Sequence, residues 1–199
     1  MVPEPADGSE PEVTIKSASG GSRALLEWIG VIVGALVVAF VIRSFLFGAY
    51  VIPTGSMEPT LHAGPKDRVL VNKLSYHLHD IHRGDVVVFK RPPGETDKTI
   101  NDLIKRVVGL PGETVELRNG MVLINGAPLT EPYVNPSCTQ GTVTLTGQTS
   151  WTIPKDMVFV MGDNRCDSTD SRAFGPIDND LVVGRAFVRV WPLSHLGWL

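Results

Sequence analysis

The feature that most constrains this chain is an apolar run that begins at residue 25. Residues 25–42 (LLEWIGVIVGALVVAFVI) contain one charged side chain, Glu27, and the apolar character resumes after Arg43. A helix needs about 20 apolar residues to cross the hydrocarbon core of a bilayer, and this run suffices if Glu27 and Arg43 lie at its ends. The run is apolar around its whole circumference, unlike a surface helix. The pattern predicts a transmembrane anchor helix over residues 24–47.

Two other interpretations of the apolar run are a cleaved secretory signal and a helix buried in a soluble core. The run exceeds the roughly 7 to 15 residues of a signal's apolar region, and no clean small-x-small cleavage site follows it. Nearby charges indicate orientation only weakly, because Lys16 and Arg23 precede the run and Arg43 follows it. They favour a cytoplasmic N-terminus.

Composition outside the apolar run separates a tail from a folded domain and argues against nucleic acid as a partner. Residues 1–23 are rich in Pro, Gly, Ser and Glu, which predicts a disordered cytoplasmic tail. The 199 residues include 18 Lys and Arg against 21 Asp and Glu, so the chain lacks the basic surface that grips a polyanion. Two cysteines are too few for a disulfide framework and are not spaced as zinc ligands.

Beyond Tyr50 the sequence consists of short β-rich runs separated by Gly, Pro, Asn and Asp. Asn119 and Gly120 lie between two such runs and supply the positive φ angles that a type I′ hairpin turn requires. Residues 127–150, called the polar excursion below, show no core pattern and are predicted to connect two strands. The predicted fold class is mainly β, an anchor helix followed by an all-β domain of antiparallel sheets over residues 48–199. The predicted strands cover residues 69–71, 85–89, 103–108, 114–117, 121–124, 157–160 and 182–190.

A serine in a restricted loop follows the apolar run. In residues 51–61 (VIPTGSMEPTL), Gly55 permits a tight turn and the close approach of another chain segment, and the prolines restrict the loop. Such a loop can present the hydroxyl of Ser56. Serines in Gly/Pro turns ordinarily serve only the turn. Interpreting Ser56 as a catalytic nucleophile therefore requires a base elsewhere in the chain.

The histidines do not supply an evident base. His62 is close to Ser56 in sequence, but nucleophile and base are recognised by spatial roles rather than by proximity along the chain. The spacing of His77, His79 and His82 is compatible with metal ligands, but no carboxylate motif accompanies them. A surface loop is the favoured interpretation.

Lys105 is the more informative candidate. In residues 103–108, strand alternation places Lys105 on one face with Leu103 and Val107, which predicts a desolvated amine. The pKa of a lysine must fall by roughly three units from about 10.4, equivalent to about 4 kcal/mol, before the amine is a base at neutral pH. An exposed or snorkelling strand lysine is the alternative.

A third polar segment, residues 161–175 (MGDNRCDSTDSRAFG), follows an apolar strand and is called the bracing loop below. It contains more short hydrogen-bonding side chains than a connection needs, which suggests that it braces a site. A simple turn rich in Asp and Asn is the alternative.

Four segments taken together resemble the ordered motif set of bacterial type I signal peptidases, also called leader peptidases. They are residues 53–61 (PTGSMEPTL), 84–89 (GDVVVF), 104–113 (IKRVVGLPGE) and 162–172 (GDNRCDSTDSR). Four motifs in this order are highly specific. The resemblance extends from the apolar run to about Val190 and leaves out the tail and the polar excursion.

The resemblance implies a serine endopeptidase that needs no metal or organic cofactor. Ser56 would attack the scissile carbonyl while the neutral amine of Lys105 takes its proton. Ser168 would orient that amine, and Asp170 with Arg172 would form a structural ion pair.

The same resemblance implies an oxyanion hole and further supporting residues. The oxyanion would be held by the backbone N–H of Ser56 and the hydroxyl of Thr54, where many relatives carry serine. The other supporting residues would be Gly162, Asp163, Asn164 and Arg165.

Substrates implied by the resemblance are secretory preproteins cut after small residues at positions −1 and −3. An extended substrate would pair with exposed strand edges. Apolar residues that flank the dyad are candidates for the substrate pockets, with ordinary core packing as an equal alternative. They are Ile52, Pro53, Met57, Leu61, Leu103 and Ile104.

The resemblance also implies a single-pass protein of the cell membrane, in contact with lipids, whose N-terminus is cytoplasmic and whose catalytic domain is extracytoplasmic. Contact with the protein-translocation machinery stays open. That compartment permits a disulfide between Cys138 and Cys166, which is favoured over a reactive thiol and would tie the polar excursion to the bracing loop.

Two rival functions deserve comparison. Soluble self-cleaving repressors also use a Ser/Lys catalytic dyad, but they need a helical DNA-binding module where this chain has an apolar run. A membrane-tethered β domain that only binds partners would need neither Ser56 nor Lys105.

Overall fold

The structure, a computed structural model, describes residues 20–64, 66–96, 99 and 101–199; of residues 20–23 and 42–45 it describes the backbone alone. The described chain contains two compact units that meet between Val41 and Ile42.

Of the first unit the structure describes helix α1 (Gly20–Leu46), which continues for 27 residues and extends five residues past the boundary at Val41. Residues Ala24–Val41 have a mean hydropathy of 2.5, and none of them is buried. Eighteen helical residues extend about 27 Å, close to the roughly 30 Å of a bilayer's hydrocarbon core. The helix is long and apolar enough to cross a membrane, and its exposed surface argues against the buried-core interpretation.

The second unit is β-rich. It contains two single-turn helices, α2 (Ser75–Leu78) and α3 (Ser171–Phe174), and short 3₁₀ turns at Gly55–Met57, Asn179–Leu181 and Leu193–His195. Its strands are β1 (Phe47–Val51), β2 (Arg68–Asn72), β3 (Val86–Lys90), β4 (Asp102–Gly109), β5 (Thr114–Arg118), β6 (Met121–Ile124), β7 (Ala127–Pro128), β8 (Ser150–Thr152), β9 (Met157–Met161), β10 (Ile177–Asp178), β11 (Val182–Trp191) and β12 (Gly197–Trp198).

The strands form two antiparallel sheets. The large sheet has the order β1-β2-β11-β3-β4-β9-β10, with β12 paired to β11, and the small sheet has the order β7-β6-β5-β8. Lys105 on β4 stands opposite Val87 on β3. The pairing of β4 with β9 begins at Arg106 and continues toward Gly109. The first residues of β4 therefore pair with β3 while β9 covers the later part.

Three apolar clusters hold the sheets together. Alternation along β3 sends Val86 and Val88 into the first cluster and Val87 and Phe89 into the third, on the opposite face of the large sheet. The second cluster lies against the small sheet and includes Trp151 and Phe159, whose ring centroids are 5.0 Å apart. Each fully buried aliphatic or aromatic side chain contributes about 1.5 to 3 kcal/mol.

The mainly β fold class with antiparallel sheets is confirmed. Each of the seven predicted runs overlaps a strand. Asn119 and Gly120 have φ angles of 53° and 74°, as a type I′ turn requires. Helix α1 begins at Gly20, inside the segment predicted as a tail, and residues 1–19 of that tail lie outside the described residues.

Candidate active site

Ser56 lies in the 3₁₀ turn Gly55–Met57, between β1 and β2. Ile52 and Met57 on either side of it are buried in the first apolar cluster, which fixes the ends of the turn. The bracing loop holds it from the other side, because the backbone N–H of Asn164 donates to the carbonyl of Ser56 at 3.1 Å. The Asn164 side-chain amide also donates to the Gly55 carbonyl at 3.1 Å. Ser56 is thus buried and held by two separate parts of the chain.

Lys105 reaches Ser56 from strand β4. Its Nζ lies 2.6 Å from the Ser56 Oγ. Leu103 and Val107, on the same face of the strand, pack in the third apolar cluster, and Lys105 is only 4% exposed. Burial lowers the pKa of Lys105 to about 8, although the nearby carboxylates, Asp170 foremost, act to raise it. A substantial fraction of this amine is therefore neutral near neutral pH.

A cavity of about 410 Å³ opens at the pair. It is partly apolar and partly polar, and Thr54 Oγ1 lies 3.3 Å from Ser56 Oγ at its edge. The residues that line it are Pro53, Thr54, Ser56, Glu95, Asp102, Leu103, Ile104, Lys105, Leu145, Cys166, Asp167, Ser168 and Thr169.

The bracing loop is organised around the buried carboxylate of Asp170. Arg172 binds both of its oxygens, each at 2.8 Å, and both side chains are fully buried. The Ser168 hydroxyl and the Gly162 backbone N–H also donate to Asp170, at 2.9 and 3.0 Å. A buried charge is best tolerated in a bidentate Arg–carboxylate pair whose remaining oxygen lone pairs accept hydrogen bonds.

Two more arginines anchor the bracing loop. Arg106, the neighbour of Lys105, binds both oxygens of Asp163 at 2.8 and 2.6 Å. Arg165 binds the two oxygens of Glu131 at 2.9 and 2.6 Å. Breaking either buried pair by removing one partner would leave an uncompensated charge, which costs about 3 to 5 kcal/mol.

Gly162 allows the bracing loop to pack directly against the nucleophile turn. A Cβ atom at this position would stand about 2.3 Å from the Ser168 Oγ and 2.4 Å from the Ser56 carbonyl oxygen. Both distances are far shorter than van der Waals contact, so glycine is required here for steric reasons rather than for its φ angle.

The polar excursion packs on the outer side of the bracing loop. Glu131 and Thr142 both accept hydrogen bonds from Arg165, and the Val143 carbonyl accepts one from Arg172. A disulfide joins Cys138 to Cys166. The excursion is therefore cross-linked to the loop that borders the cavity.

This arrangement is suited to nucleophilic acyl transfer. A hydroxyl within hydrogen-bond reach of an amine that loses its proton near neutral pH is an activated nucleophile. The cavity of about 410 Å³ beside it gives access to this hydroxyl.

A family model described as "Signal peptidase, peptidase S26" matches residues 25–191. The match takes in the apolar helix, Ser56, Lys105 and the whole bracing loop. The chain belongs to the signal peptidase family, peptidase S26.

Curated members of the signal peptidase family are similar over nearly their whole length. The chain is 38% identical to a signal peptidase I from Leptolyngbya laminosa, an alignment that covers 98% of this chain and 94% of the relative. It is 38% identical to the probable signal peptidase I-2 of Synechocystis sp., over 94% and 83% of the two chains. It is 40% identical to signal peptidase IB of Staphylococcus aureus strain Mu50, over 87% and 93%. With helix α1, this makes the chain a membrane-anchored serine peptidase of the signal peptidase family.

Among solved structures, a signal peptidase I from Enterococcus faecalis V583 is 33% identical, with a TM-score of 0.43. The likeness covers 54% of this chain and 97% of that one.

The residues predicted for the signal peptidase site fall into two groups. Thr54, Ser56, Lys105 and Ser168 meet at the cavity, and the predicted pocket residues Pro53, Leu103 and Ile104 line it. Ile52, Met57 and Leu61 do not line it, because they are buried in the first apolar cluster and are 0 or 1% exposed. These three apolar residues pack in the core and fix the nucleophile turn instead of forming a substrate pocket.

The role of Ser168 in orienting the Lys105 amine stays a prediction. The Ser168 hydroxyl donates to Asp170, and the Lys105 amine contacts Ser56. Within the described residues, Ser168 and Lys105 form no hydrogen bond with each other. The predicted Asp170–Arg172 ion pair is present, fully buried and bound at two points.

Sequence reasoning missed the residues that reach the site from distant segments. Glu95, Asp102 and Leu145 line the cavity from other segments, and Glu131 and Thr142 hold Arg165; Asp167 and Thr169, which also line the cavity, lie in the bracing loop but were not named as site residues. Arg106 carried a usable signal, since it is a charged residue inside an apolar strand next to Lys105. The other missed contacts depend on tertiary folding and leave no local pattern.

Proposed function

We propose that this chain removes signal peptides from secretory preproteins as a membrane-anchored serine endopeptidase, with Ser56 as nucleophile and Lys105 as general base. The observation that supports this most directly is the 2.6 Å contact between the Lys105 Nζ and the Ser56 Oγ, made in a buried position. Membership of the signal peptidase family supplies the substrate class.

The pKa of Lys105 explains how the amine can act as a base. With a pKa of about 8, roughly one-tenth of the amine is neutral at pH 7, whereas an ordinary lysine at 10.5 is neutral in roughly three molecules in ten thousand. The neutral amine takes the proton from Ser56 as its oxygen attacks the scissile carbonyl carbon. The same amine, now protonated, donates to the leaving peptide nitrogen.

The oxyanion of the tetrahedral intermediate is held by the Ser56 backbone N–H and the Thr54 hydroxyl. Support comes from the 3₁₀ turn at Gly55–Met57, whose first N–H groups have no partner within the turn, and from the position of Thr54 at the cavity edge. Removing one such donor typically lowers kcat about 10²- to 10³-fold.

Ser168 and the buried ion pairs position the amine. Because the Ser168 proton is engaged by Asp170, the Ser168 oxygen remains an acceptor that can orient an N–H of Lys105 within the shared cavity. Asp170 and Arg172 fix Ser168 in turn. The supporting contacts of Gly162, Asp163, Asn164 and Arg165 hold the bracing loop against the nucleophile turn.

Specificity for small residues at positions −1 and −3 is assigned to the apolar lining formed by Pro53, Leu103 and Ile104. The substrate backbone pairs with the edge of β4 that precedes Arg106, where pairing with β9 has not yet begun. This arrangement places alternate substrate side chains toward the apolar lining.

The N-terminus is assigned to the cytoplasm and the β unit to the opposite side of the cell membrane, with lipids around helix α1. Two observations support this orientation. A disulfide is typical of oxidising compartments, and Lys16 and Arg23 precede the apolar span Ala24–Val41.

The mechanism is tested by cleavage of a preprotein with a small-x-small signal site by the full chain in detergent. We expect Ser56→Ala and Lys105→Ala to reduce cleavage to background, with the fold unchanged by circular dichroism. The matched controls Ser137→Ala and Lys155→Ala, at exposed positions, keep wild-type rates. Thr54→Val lowers kcat by about 10²- to 10³-fold, whereas Thr54→Ser retains the donor and most of the rate. Wild-type cleavage by a folded Ser56→Ala or Lys105→Ala variant would show that the dyad is wrongly assigned.

A further inference from the structure

Three side chains outside the catalytic cavity converge on one point. His62, Asp67 and His195 each offer a ligand atom, and these atoms all lie within 4.8 Å of one another. The Asp67 carboxylate is fully buried, while the two imidazoles are 39% and 37% exposed. The cluster is therefore built on a buried charge and remains open to solvent on one side.

The atoms that point into this cluster lack hydrogen-bond partners. Within the described part of the chain, His62 Nδ1, His195 Nδ1 and Asp67 Oδ1 are buried polar atoms to which no hydrogen bond is made. Buried polar atoms are satisfied in the large majority of cases. Three unsatisfied atoms in one place indicate a common partner that all three can bind.

The separation of His195 Nδ1 from Asp67 Oδ1 suits two ligands of one metal ion better than a direct hydrogen bond, and His62 Nδ1 lies within 4.8 Å of the same cluster. His62 Nδ1 lies 3.5 Å from Asp67 Oδ2, and His195 Nδ1 lies 3.5 Å from Asp67 Oδ1. Hydrogen bonds of this kind are normally about 2.7 to 3.2 Å long. Two ligands on a tetrahedral ion, with bonds of about 2.0 to 2.2 Å, stand roughly 3.3 to 3.6 Å apart.

The groups that face the cluster leave one carboxylate oxygen available. Asp67 Oδ2 accepts from the His62 backbone N–H at 2.9 Å and from Arg189 Nη1 at 3.2 Å. Asp67 Oδ1, 3.5 Å from His195 Nδ1, accepts no hydrogen bond from the described residues. Because the Arg189 guanidinium offsets part of the carboxylate charge, the cluster suits reversible binding rather than a permanently held ion.

We propose that His62, Asp67 and His195 form a binding site for a divalent transition-metal ion of the Zn²⁺ class. Two imidazole nitrogens and one carboxylate oxygen are a ligand set that Zn²⁺ prefers, with water in the fourth position. The catalytic dyad uses none of these residues, so the site serves stability rather than the reaction.

The expected consequence is a link between the segment that follows the nucleophile and the C-terminal turn. His62 follows Thr60, whose hydroxyl donates to Asp163 in the bracing loop. His195 ends the turn Leu193–His195. A bound ion would hold both segments to Asp67, just before β2.

The test is metal titration of the full chain, purified in detergent without a histidine tag and stripped with a chelator. We expect one equivalent of Zn²⁺ by calorimetry and a tetrahedral absorption spectrum with Co²⁺ as the probe. His62→Gln and His195→Gln should each weaken Zn²⁺ binding at least about tenfold. Even residues that only support a metal ligand typically cost about 10- to 100-fold in affinity when they are changed. These variants are chosen because Asp67→Asn would also remove the partner of Arg189.

A matched control separates this site from the other histidines. The variant in which His77, His79 and His82 are all changed to Gln should bind one equivalent with unchanged affinity. Zn²⁺ should raise the Tm of the wild-type protein and of this control, and should leave the Tm of His195→Gln unaltered. The proposal is overturned if the stripped protein binds no Zn²⁺, if both ligand variants bind as wild type does, or if the triple control abolishes binding.

Discussion

The pKa of Lys105 is set by a balance between burial and the charges of nearby carboxylates. Burial disfavours its charged form, while Asp170, Glu95 and Asp163 favour it. Two of these carboxylates are already bound at two points by arginines, Asp170 by Arg172 and Asp163 by Arg106. Their negative charge is largely compensated, so burial dominates at the amine.

The pH dependence of cleavage follows from this balance. The pKa of Lys105 is lowered from 10.5 to about 8, so kcat/KM should rise with pH to a plateau, with a midpoint near 8. Glu95 raises the pKa of Lys105, so Glu95→Gln should move the midpoint to lower pH. Glu116→Gln, in the small sheet, is the control and should leave the midpoint in place. A midpoint that moves upward in Glu95→Gln would contradict this account.

The free energy of unfolding should also rise with pH. The pKa of Lys105 is lower in the folded than in the unfolded chain, so the unfolded chain binds more protons between the two values. The free energy of unfolding contributed by this group is lowest below pH 8 and rises as pH increases from 8 toward 10.5.

At the scale of elements, the site is an assembly of three segments that the sheet brings together. The nucleophile turn follows β1, the lysine is on β4, and the bracing loop follows β9. The loop touches both of the others, through Asn164 at the turn and through Asp163 at Arg106. Displacing the loop would therefore disturb nucleophile and base together.

Gly162 is the position where this assembly is most sensitive to added volume. Gly162→Ala places a methyl group about 2.3 Å from Ser168 Oγ and 2.4 Å from the Ser56 carbonyl oxygen, so the turn must move. Misplacing a nucleophile by about 1 Å can cost roughly 10² in rate, and we expect a loss in kcat at least that large. The free energy of unfolding should fall by about 1 to 3 kcal/mol, as is usual for overpacking.

The control for Gly162 is Gly64→Ala, where a Cβ atom meets nothing within 4 Å. The measurements are steady-state cleavage and chemical denaturation of both variants. Full activity of Gly162→Ala would show that the loop does not press on the nucleophile turn as the structure indicates.

Local patterns in the sequence predicted the strands well but not every element. Strand β1 was not predicted because Phe47 continues the apolar run of the anchor, and no local signal marks where the helix ends at Leu46. Strands β7, β10 and β12 have two residues each, too few to show a period-two pattern. Only pairing with a neighbour defines them.

The candidate site was predictable where function depends on short motifs. Ser56, Lys105 and the Asp170–Arg172 pair follow from the resemblance of four segments to one family. Met57 was named as a pocket candidate with core packing as an equal alternative, because apolar residues beside a nucleophile look alike whether they face a cavity or a core. Glu131 and Arg165 are 34 positions apart and oppositely charged, which by itself predicts no pairing.

At the scale of the whole molecule, the apolar helix and the β unit have separate tasks. The helix presents an unburied apolar surface that only lipid or another protein can cover. The β unit contains the complete set of cavity residues. The membrane therefore acts on catalysis through location rather than through the chemistry of the site.

The orientation of the chain can be measured in spheroplasts of a bacterial host. We expect the chain to stay with the membrane after alkaline carbonate extraction, because the helix spans the bilayer. Protease added outside should digest the β unit while a cytoplasmic marker stays intact, and the same digestion of inside-out vesicles should spare it. Protection of the β unit in spheroplasts would contradict the proposed orientation.

The place of β11 in the large sheet has a consequence for a chain that is still being synthesised. Strand β11 (Val182–Trp191) lies between β2 and β3, and so joins the part that follows the nucleophile turn to the part that contains Lys105. Pairing of strands so far apart along the chain forms late. Until the ribosome has added these residues, no strand joins the two parts of the large sheet, and the sheet that supports Ser56 and Lys105 is incomplete. The catalytic site is therefore expected to become complete only after β11 has been synthesised.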